Sequence, residues 1–256
     1  MSQDISYISM AVGLLLLAIP IYFFHRFGTK QISATVIATA RMVVQLFLIG
    51  LYLKYLFLLN SPLVNILWVI VMVVVATLTA ARRTHLPLSM LFVPLSTGFA
   101  ASAFLVGLYF LMFVLHLPQP FDARYFVPIM GILMGNMLGV NVMALNTFYD
   151  GLRREQQLYY YLLGNGATHI EAITPFIRRA IEKSFAPCIA NMAVMGIVSL
   201  PGTMIGQILG GAAPGIAIKY QMMIIVITFT ASMLSMMFTL WLADKRTFDE
   251  YDRIKV

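Results

Sequence analysis

Few residues in this 256-residue chain have the type and spacing that chemistry needs. A phosphate-cradling loop requires Gly-Lys-Ser/Thr after a glycine-rich turn, and none of Lys30, Lys54, Lys183, Lys219, Lys245 or Lys255 follows a glycine. Gly-x-Ser-x-Gly and His-Glu-x-x-His are absent, so hydrolysis would have to use scattered residues. Cys188 is the single cysteine, which excludes an intrachain disulfide. His25, His85, His116 and His169 do not have metal-site spacing. What remains is a set of polar side chains in or beside long apolar runs: Arg41, Gln45, Asn136, Asn141 and Asn191. An unpaired polar group in hydrocarbon is costly, so each should face a partner or a solute path. The 18 methionines, grouped at Met222-Met223 and from Met233 to Met237, admit two readings. Thioethers suit soft metals, and methionine also fills irregular gaps.

The elements that position these residues must live in lipid. Hydrophobic residues are 61% of the chain and charged residues 11%, with mean hydropathy +0.88. A soluble domain is roughly half apolar and about a quarter charged. The net charge of +7 could suit nucleic acid, but the basic residues sit in short clusters between apolar runs, so no nucleic-acid partner is expected. Runs able to cross about 30 Å of hydrocarbon extend from Ile5 to Phe24, up to Leu59, Leu63 to Ala81, Met90 to Leu115, Tyr125 to Phe148, Pro187 to Leu209 and Ile216 to Ala243. Before the first run the only charge is Asp4, and the basic residues follow it, unlike a signal peptide. The expectation is an all-α membrane protein: one transmembrane domain over residues 1–256, about seven helices, in the cell (plasma or inner) membrane.

Lys and Arg concentrate in cytoplasmic loops. Arg26, Lys30, Arg82, Arg83, Arg153, Arg154, Arg178, Arg179, Lys183, Lys245, Arg246, Arg253 and Lys255 fall on alternate loops, thirteen of the 17 basic residues. This bias places the N-terminus outside and the C-terminus in the cytoplasm. Arg41 has two possible registers. A span starting near Ile32 buries it about 13 Å deep, whereas an interfacial helix over Gln31 to Ala40 leaves it at the headgroups. Gln45 lies one turn further on the same face.

Gly131, Gly135 and Gly139 recur every fourth residue, as do Gly202, Gly206 and Gly210, and such stripes let helices approach closely in lipid. The cytoplasmic interval from about 150 to 183 is the longest soluble element and suits docking. Gly151 to Tyr161 continues the fifth helix, Gly164-Asn165-Gly166 stops it, and Thr168 with Glu171 fits a capping box. Thr174-Pro175 offers a second cap, so a short helix between two turns is expected under the bilayer.

Several of these residues carry a resemblance. Gly135-Asn136, Asn146, Glu155-Gln156-Gln157, Gly166-Ala167-Thr168, Gly196-Ile197-Val198-Ser199-Leu200-Pro201-Gly202 and Ala217-Ile218-Lys219-Tyr220-Gln221, with Arg41, Gln45 and Lys54-Tyr55, resemble the FetB-type permeases of the ABC iron-export family. The resemblance implies a permease subunit exporting iron or another metal ion or metal-linked solute, with no cofactor of its own. ATP and Mg would be bound by a separate cytoplasmic ATPase, and two permease copies would work with two ATPases. Glu155, Gln156, Gly166, Ala167, Thr168 and Glu171 would couple to that ATPase, while Arg41, Gln45, Asn136, Asn141 and Asn191 would line the path. Plant relatives of that family are tied to aluminium tolerance. The chain departs at Ala190 and Ala193, where the family has an Asp and a Lys, and at Asn165, where it has a Leu. Hard cations favour oxygen ligands, so the same metal is not implied. The competing class is a stand-alone channel or secondary transporter, which the location of all ten acidic residues in loops or ends disfavours.

The topology is testable because Cys188 is the only thiol. In a cysteine-free background, single cysteines replacing Ser61 or Gln119 should react with an impermeant maleimide from outside, and those replacing Thr84 or Thr247 should not. Outside labelling at Thr84 would overturn the arrangement.

Overall fold

The computed structural model describes residues 6–84, 86–249 and 252–253, so Asp4, Ile5, His85 and Lys255 lie outside the described residues. The described chain is helical: α1 (Tyr7–Leu14), α2 (Ala18–Arg26), α3 (Gln31–Leu59), α4 (Pro62–Arg83), α5 (Leu88–Tyr109), α6 (Ala123–Arg154), α7 (Gln156–Gly164), α8 (His169–Val194), α9 (Gly202–Leu209) and α10 (Pro214–Thr247). A 3₁₀ turn over Leu15–Leu17 joins α1 to α2 as one span, and a π-helical turn over Phe110–Val114 ends the α5 span. Six helices among the described residues are long and apolar enough to cross a bilayer.

The expected sixth span, Pro187 to Leu209, is not one helix. α8 ends at Val194, and the chain turns at Gly196, whose φ of +86° favours glycine. It resumes at α9 after Pro201, whose ring sets the helix entry. Ser184 Oγ meets Met236 Sδ at the lower level, and Thr203 Oγ1 bonds to Gln221 Oε1 higher up, so α8 and α9 together run antiparallel to α10. The expected span is divided between two helices, because a hydropathy window reads Ile197, Val198 and Leu200 as span while the backbone reads Gly196 and Pro201 as a break.

The soluble interval also differs from expectation. α6 stops at Arg154, Glu155 adopts a non-helical φ of −115°, and α7 follows as a separate short helix. The Thr168–Glu171 capping box is present, but the Thr174-Pro175 cap is not used. Thr174 Oγ1 donates to Ile170 O instead, and α8 continues through Pro175 and Pro187 for 26 residues.

Tight packing centres on α5 and α10. A Cβ at Gly98 would lie 2.5 Å from Thr239 Oγ1 and 3.0 Å from the Ser235 carbonyl oxygen, and one at Gly107 would meet the Met130 thioether. The periodic glycines contribute less: Gly131 faces Met72, while Gly135, Gly139, Gly202 and Gly206 have open space beside them in the single chain, and Gly210 abuts only its own helix. On α4 the buried face runs Asn65, Val69, Val73, Ala76, Ala80, the three-and-four spacing of a helix stripe. Two asparagines clasp the end of the bundle away from the basic clusters. Asn60, in a left-handed conformation at the end of α3, accepts from Ala123 N–H at 2.9 Å, and Asn65 Nδ2 donates to Phe121 O at 2.8 Å. At the basic end, Asn146 Nδ2 donates to Arg83 O and Arg246 donates to Ser89 O, bringing three of the Lys/Arg-rich connections together.

α1 and α2 bury no residue within the chain, and α3 buries only Leu56. α3 is unbroken from Gln31 to Leu59, so an interfacial helix ending at Ala40 has no bend to separate it from a span. Arg41 lies about 15 Å from the start of α3 at 1.5 Å per residue. The α3 face turned to Leu14 and Ala18 carries Thr35, Thr39 and Val43, the last two lying two residues to either side of Arg41 and so on the opposite side of the helix from it.

Gly98→Val should cost about 1–3 kcal/mol through overpacking against α10. Gly135→Ala should leave thermal unfolding in detergent unchanged within about 0.5 kcal/mol. Equal effects at the two positions would overturn the assignment of the close α5–α10 approach.

Candidate functional site

The break in the sixth span opens onto a cavity of about 280 Å³ lined by Asn136, Asn191, Thr203, Gln221, Thr228 and Ser232 among others. They come from four helices: Asn136 from α6, Asn191 near the end of α8, Thr203 in the first turn of α9, and Gln221, Thr228 and Ser232 along α10. The break itself makes the site polar, because the last carbonyls of α8 and the first amides of α9 lose their helical partners. Local turns satisfy some of them, with Gly196 N–H donating to Ser199 O and Val198 N–H to Val194 O, both at 2.9 Å. Side chains supply the rest of the polarity. Gln221 is buried and takes the Thr203 hydroxyl proton at 2.5 Å. Asn136 Nδ2 donates to Ile132 O at 2.9 Å, which leaves its Oδ1 and its second N–H for a solute.

The expected path residues therefore separate. Asn136 and Asn191 line the cavity, and Thr203, Gln221, Thr228 and Ser232 join them. Asn141 instead is fully buried between α6 and α10, donating to Ser235 Oγ at 3.0 Å and to Met137 O. Arg41 and Gln45 are exposed on α3 and do not line the cavity. Thr203, Thr228 and Ser232 left no mark in the sequence, because hydroxyl residues in spans bond to their own helix and read as neutral. Gln221 carried a signal, being an amide seven residues inside the last span.

The segment expected to couple is held from two sides. Glu155, at the corner between α6 and α7, pairs with Arg179 of α8, so its charge is engaged within the chain. Gln156, Gly166, Thr168 and Glu171 are exposed, and Ala167 is half-buried. Gly166 has φ +90°, which fixes the turn between α7 and α8. Glu171 accepts from the Thr168 backbone N–H at 2.8 Å and from its hydroxyl at 2.9 Å, and these bonds, the backbone one first, hold its carboxyl below the usual range. A depressed folded pKa means that the cap supports α8 above the ordinary glutamate value and loses that support as pH falls through the folded one. The largest exposed apolar surfaces of the segment are Tyr161 and Ile170, at 67% and 71%, and neither stood out in the sequence.

His169 ties the segment to the end of the last span. Its Nε2 lies 3.0 Å from Asp244 Oδ1, and its Nδ1 lies 3.0 Å from the Tyr159 hydroxyl and 3.3 Å from Asp252 Oδ1. Burial pushes the Tyr159 phenol well above its ordinary pKa, with Asp252 adding to the effect, so it keeps its proton and donates to the Asp252 carbonyl at 2.9 Å. Phe248 covers the cluster, with its ring 4.5 Å from that of His169 and 5.4 Å from that of Tyr159. Tyr149 and Thr247 add a buried hydroxyl pair at 2.7 Å. Among the described residues no group of three His, Cys, Asp or Glu could hold a metal.

With this geometry in place, comparison with known proteins is informative. The model of the uncharacterised protein family UPF0014 matches residues 7–248. The membrane protein YjkA of Bacillus subtilis is 29% identical over 232 residues, 90% of each chain. ALUMINUM SENSITIVE 3 of Arabidopsis thaliana is 33% identical over 189 residues, 73% of this chain and 67% of its own. FetB of Escherichia coli, described as a "probable iron export permease protein", is 26% identical over 255 residues, 100% of this chain and 97% of its own. No solved structure matches the chain.

Asp244→Asn should loosen the His169 cluster, since a hydrogen bond to a charged group contributes about 1.5–3 kcal/mol. Amide exchange around Phe248 should quicken roughly tenfold while total helicity stays constant. Unchanged exchange there would refute the tie.

Proposed function

The chain belongs to the UPF0014 membrane protein family, and from that premise we propose that it is the permease subunit of an ABC transporter, moving a metal ion or metal-linked solute out of the cell. One observation supports the reading above all others. α8 begins in the exposed coupling segment, at the Thr168–Glu171 cap, and ends at the polar cavity. A single helix of 26 residues, about 39 Å at 1.5 Å per residue, thus joins a docking surface to a break inside the membrane. Discontinuous helices with solute sites at the break recur among transporters, because backbone groups freed from a helix can be tolerated in lipid only where they line a cavity.

In this reading the α7–α8 corner sits against a cytoplasmic ATPase, which binds ATP and Mg. Nucleotide-driven movement of that partner would be carried by α8 to Asn191 and the break. The basic loops support a cytoplasmic position for the corner. Two copies of the chain would pair with two ATPases, and the exposed faces of α1 to α3 leave surface for lipid and for the second copy. The name of FetB brings iron to the reading, and that of ALUMINUM SENSITIVE 3 brings aluminium sensitivity.

Apolar anchors surrounded by polar residues dominate protein contacts, so Tyr161 and Ile170 should carry more of the docking energy than Glu155. The double variant Tyr161→Ala/Ile170→Ala should bind the cognate ATPase roughly tenfold or more weakly in a pull-down titration, with membrane insertion unchanged. Full binding by this variant would move the docking surface elsewhere, and failure of any ATPase to bind the wild-type chain would refute the ABC assignment.

A further inference from the structure

Sulfur is concentrated around the break in the sixth span. A second cavity, of about 590 Å³, adjoins the polar one and shares Met192, Met195 and Gln221 with it. Five of its twelve lining residues are methionines: Met192, Met195, Met204, Met222 and Met223. Methionine is only 18 of the 256 residues, so random placement would put about one there. They arrive from the end of α8 and its C-cap, the first turn of α9 and the first half of α10. Cys188 lines the polar side. Gap-filling methionines belong in the packed core, as Met130 and Met137 do with no exposed surface. Met192, Met222 and Met223 instead are 40%, 52% and 38% exposed, lining the same cavity as Gly196 and Pro201 of the break.

We propose that this thioether cluster at the break is a binding site for a soft monovalent metal ion, Cu(I) or Ag(I), and that such an ion is a substrate of the permease. The second half of that statement rests on the transport reading above. Thioethers are neutral and soft, so they can sit in hydrocarbon without the desolvation cost of a carboxylate, and they select Cu(I)-like ions over hard ones. Neither cavity is lined by an Asp or Glu, whereas Mg²⁺, Ca²⁺ and other hard cations favour oxygen ligands. A single positive charge is also the cheapest to bring into a low dielectric, because the Born cost rises with the square of the charge. The amides of Asn136, Asn191 and Gln221 lie on the polar side of the same opening and offer the ion a second, weaker set of neutral donors.

The test uses the purified full-length chain in lipid nanodiscs with Ag(I), which is inert to redox cycling, as the probe. Cys188→Ser provides the background, because a lone thiol binds silver in many proteins. Titration should give one bound Ag(I) per chain, displaced by Cu(I) and not by excess Fe(II) or Mg²⁺. Met195→Leu/Met204→Leu keeps volume and hydrophobicity and should weaken Ag(I) binding about tenfold or more. If that pair fails to fold, Met222→Leu/Met223→Leu, on the exposed rim, should show the same loss. Loss of all silver binding on removing Cys188, unchanged affinity in the methionine variants, or displacement by Fe(II) would each overturn the site. Silver binding without stimulation of the permease–ATPase complex by Ag(I) or Cu(I) would overturn the substrate role alone. Failure to find an ATPase partner would strike the transport reading and leave the binding result standing.

Discussion

Hydrocarbon offers no partner to a peptide group, and this constraint organises the whole molecule. Most of the chain answers it with uninterrupted helices. The segment from Met195 to Pro201 cannot, since Gly196 and Pro201 end the hydrogen-bond ladder between α8 and α9. Two backbone turns satisfy part of the loss, and a cavity of amides and hydroxyls, with the Thr203–Gln221 side-chain bond at its edge, lies beside the break. Polar side chains and exposed sulfur therefore gather at one level because the backbone opens there. The close contact at Gly98 then matters for the site as well as for the fold: it seats α10, which forms one wall of the cavity, against α5.

The other wall is α8, and both walls are gripped at the same end. His169, in the first turn of α8, meets Asp244, in the last turn of α10. Arg179, three turns along α8, holds Glu155 at the α6–α7 corner. α7 is thus tied to α8 through Tyr159 with His169 and through the Glu155 corner with Arg179, and His169 in turn holds α10 at Asp244.

The apolar spans were legible in the sequence because a run of about twenty hydrophobic residues is a local property. Asn136 and Asn191 were found by the same logic, as amides inside apolar runs. The break was not found, although Gly196 to Gly202 stood out as a motif, because hydropathy averages over Ile197, Val198 and Leu200 and takes no account of φ. Gly98 escaped because it stands alone, while the periodic glycines drew attention to faces that stay open in the single chain. The His169 cluster was out of reach, since its Asp244 partner is 75 residues away. Asn141 shows the limit of the polar-in-apolar rule: an amide in a span is as well explained by a bond to Ser235 as by a solute.

The asparagine clasp at the far end of the bundle has a consequence for how the chain is made. Asn60 waits for Ala123, 63 residues later, and Asn65 for Phe121, 56 residues later. At ribosomal speeds of about 5–20 residues per second, that interval lasts on the order of ten seconds or less. Throughout it, the corner between α3 and α4 has already emerged while its acceptor and donor have no partners except water. The left-handed turn at Asn60 therefore lacks the contact that holds it until α6 arrives and closes the corner behind the nascent chain.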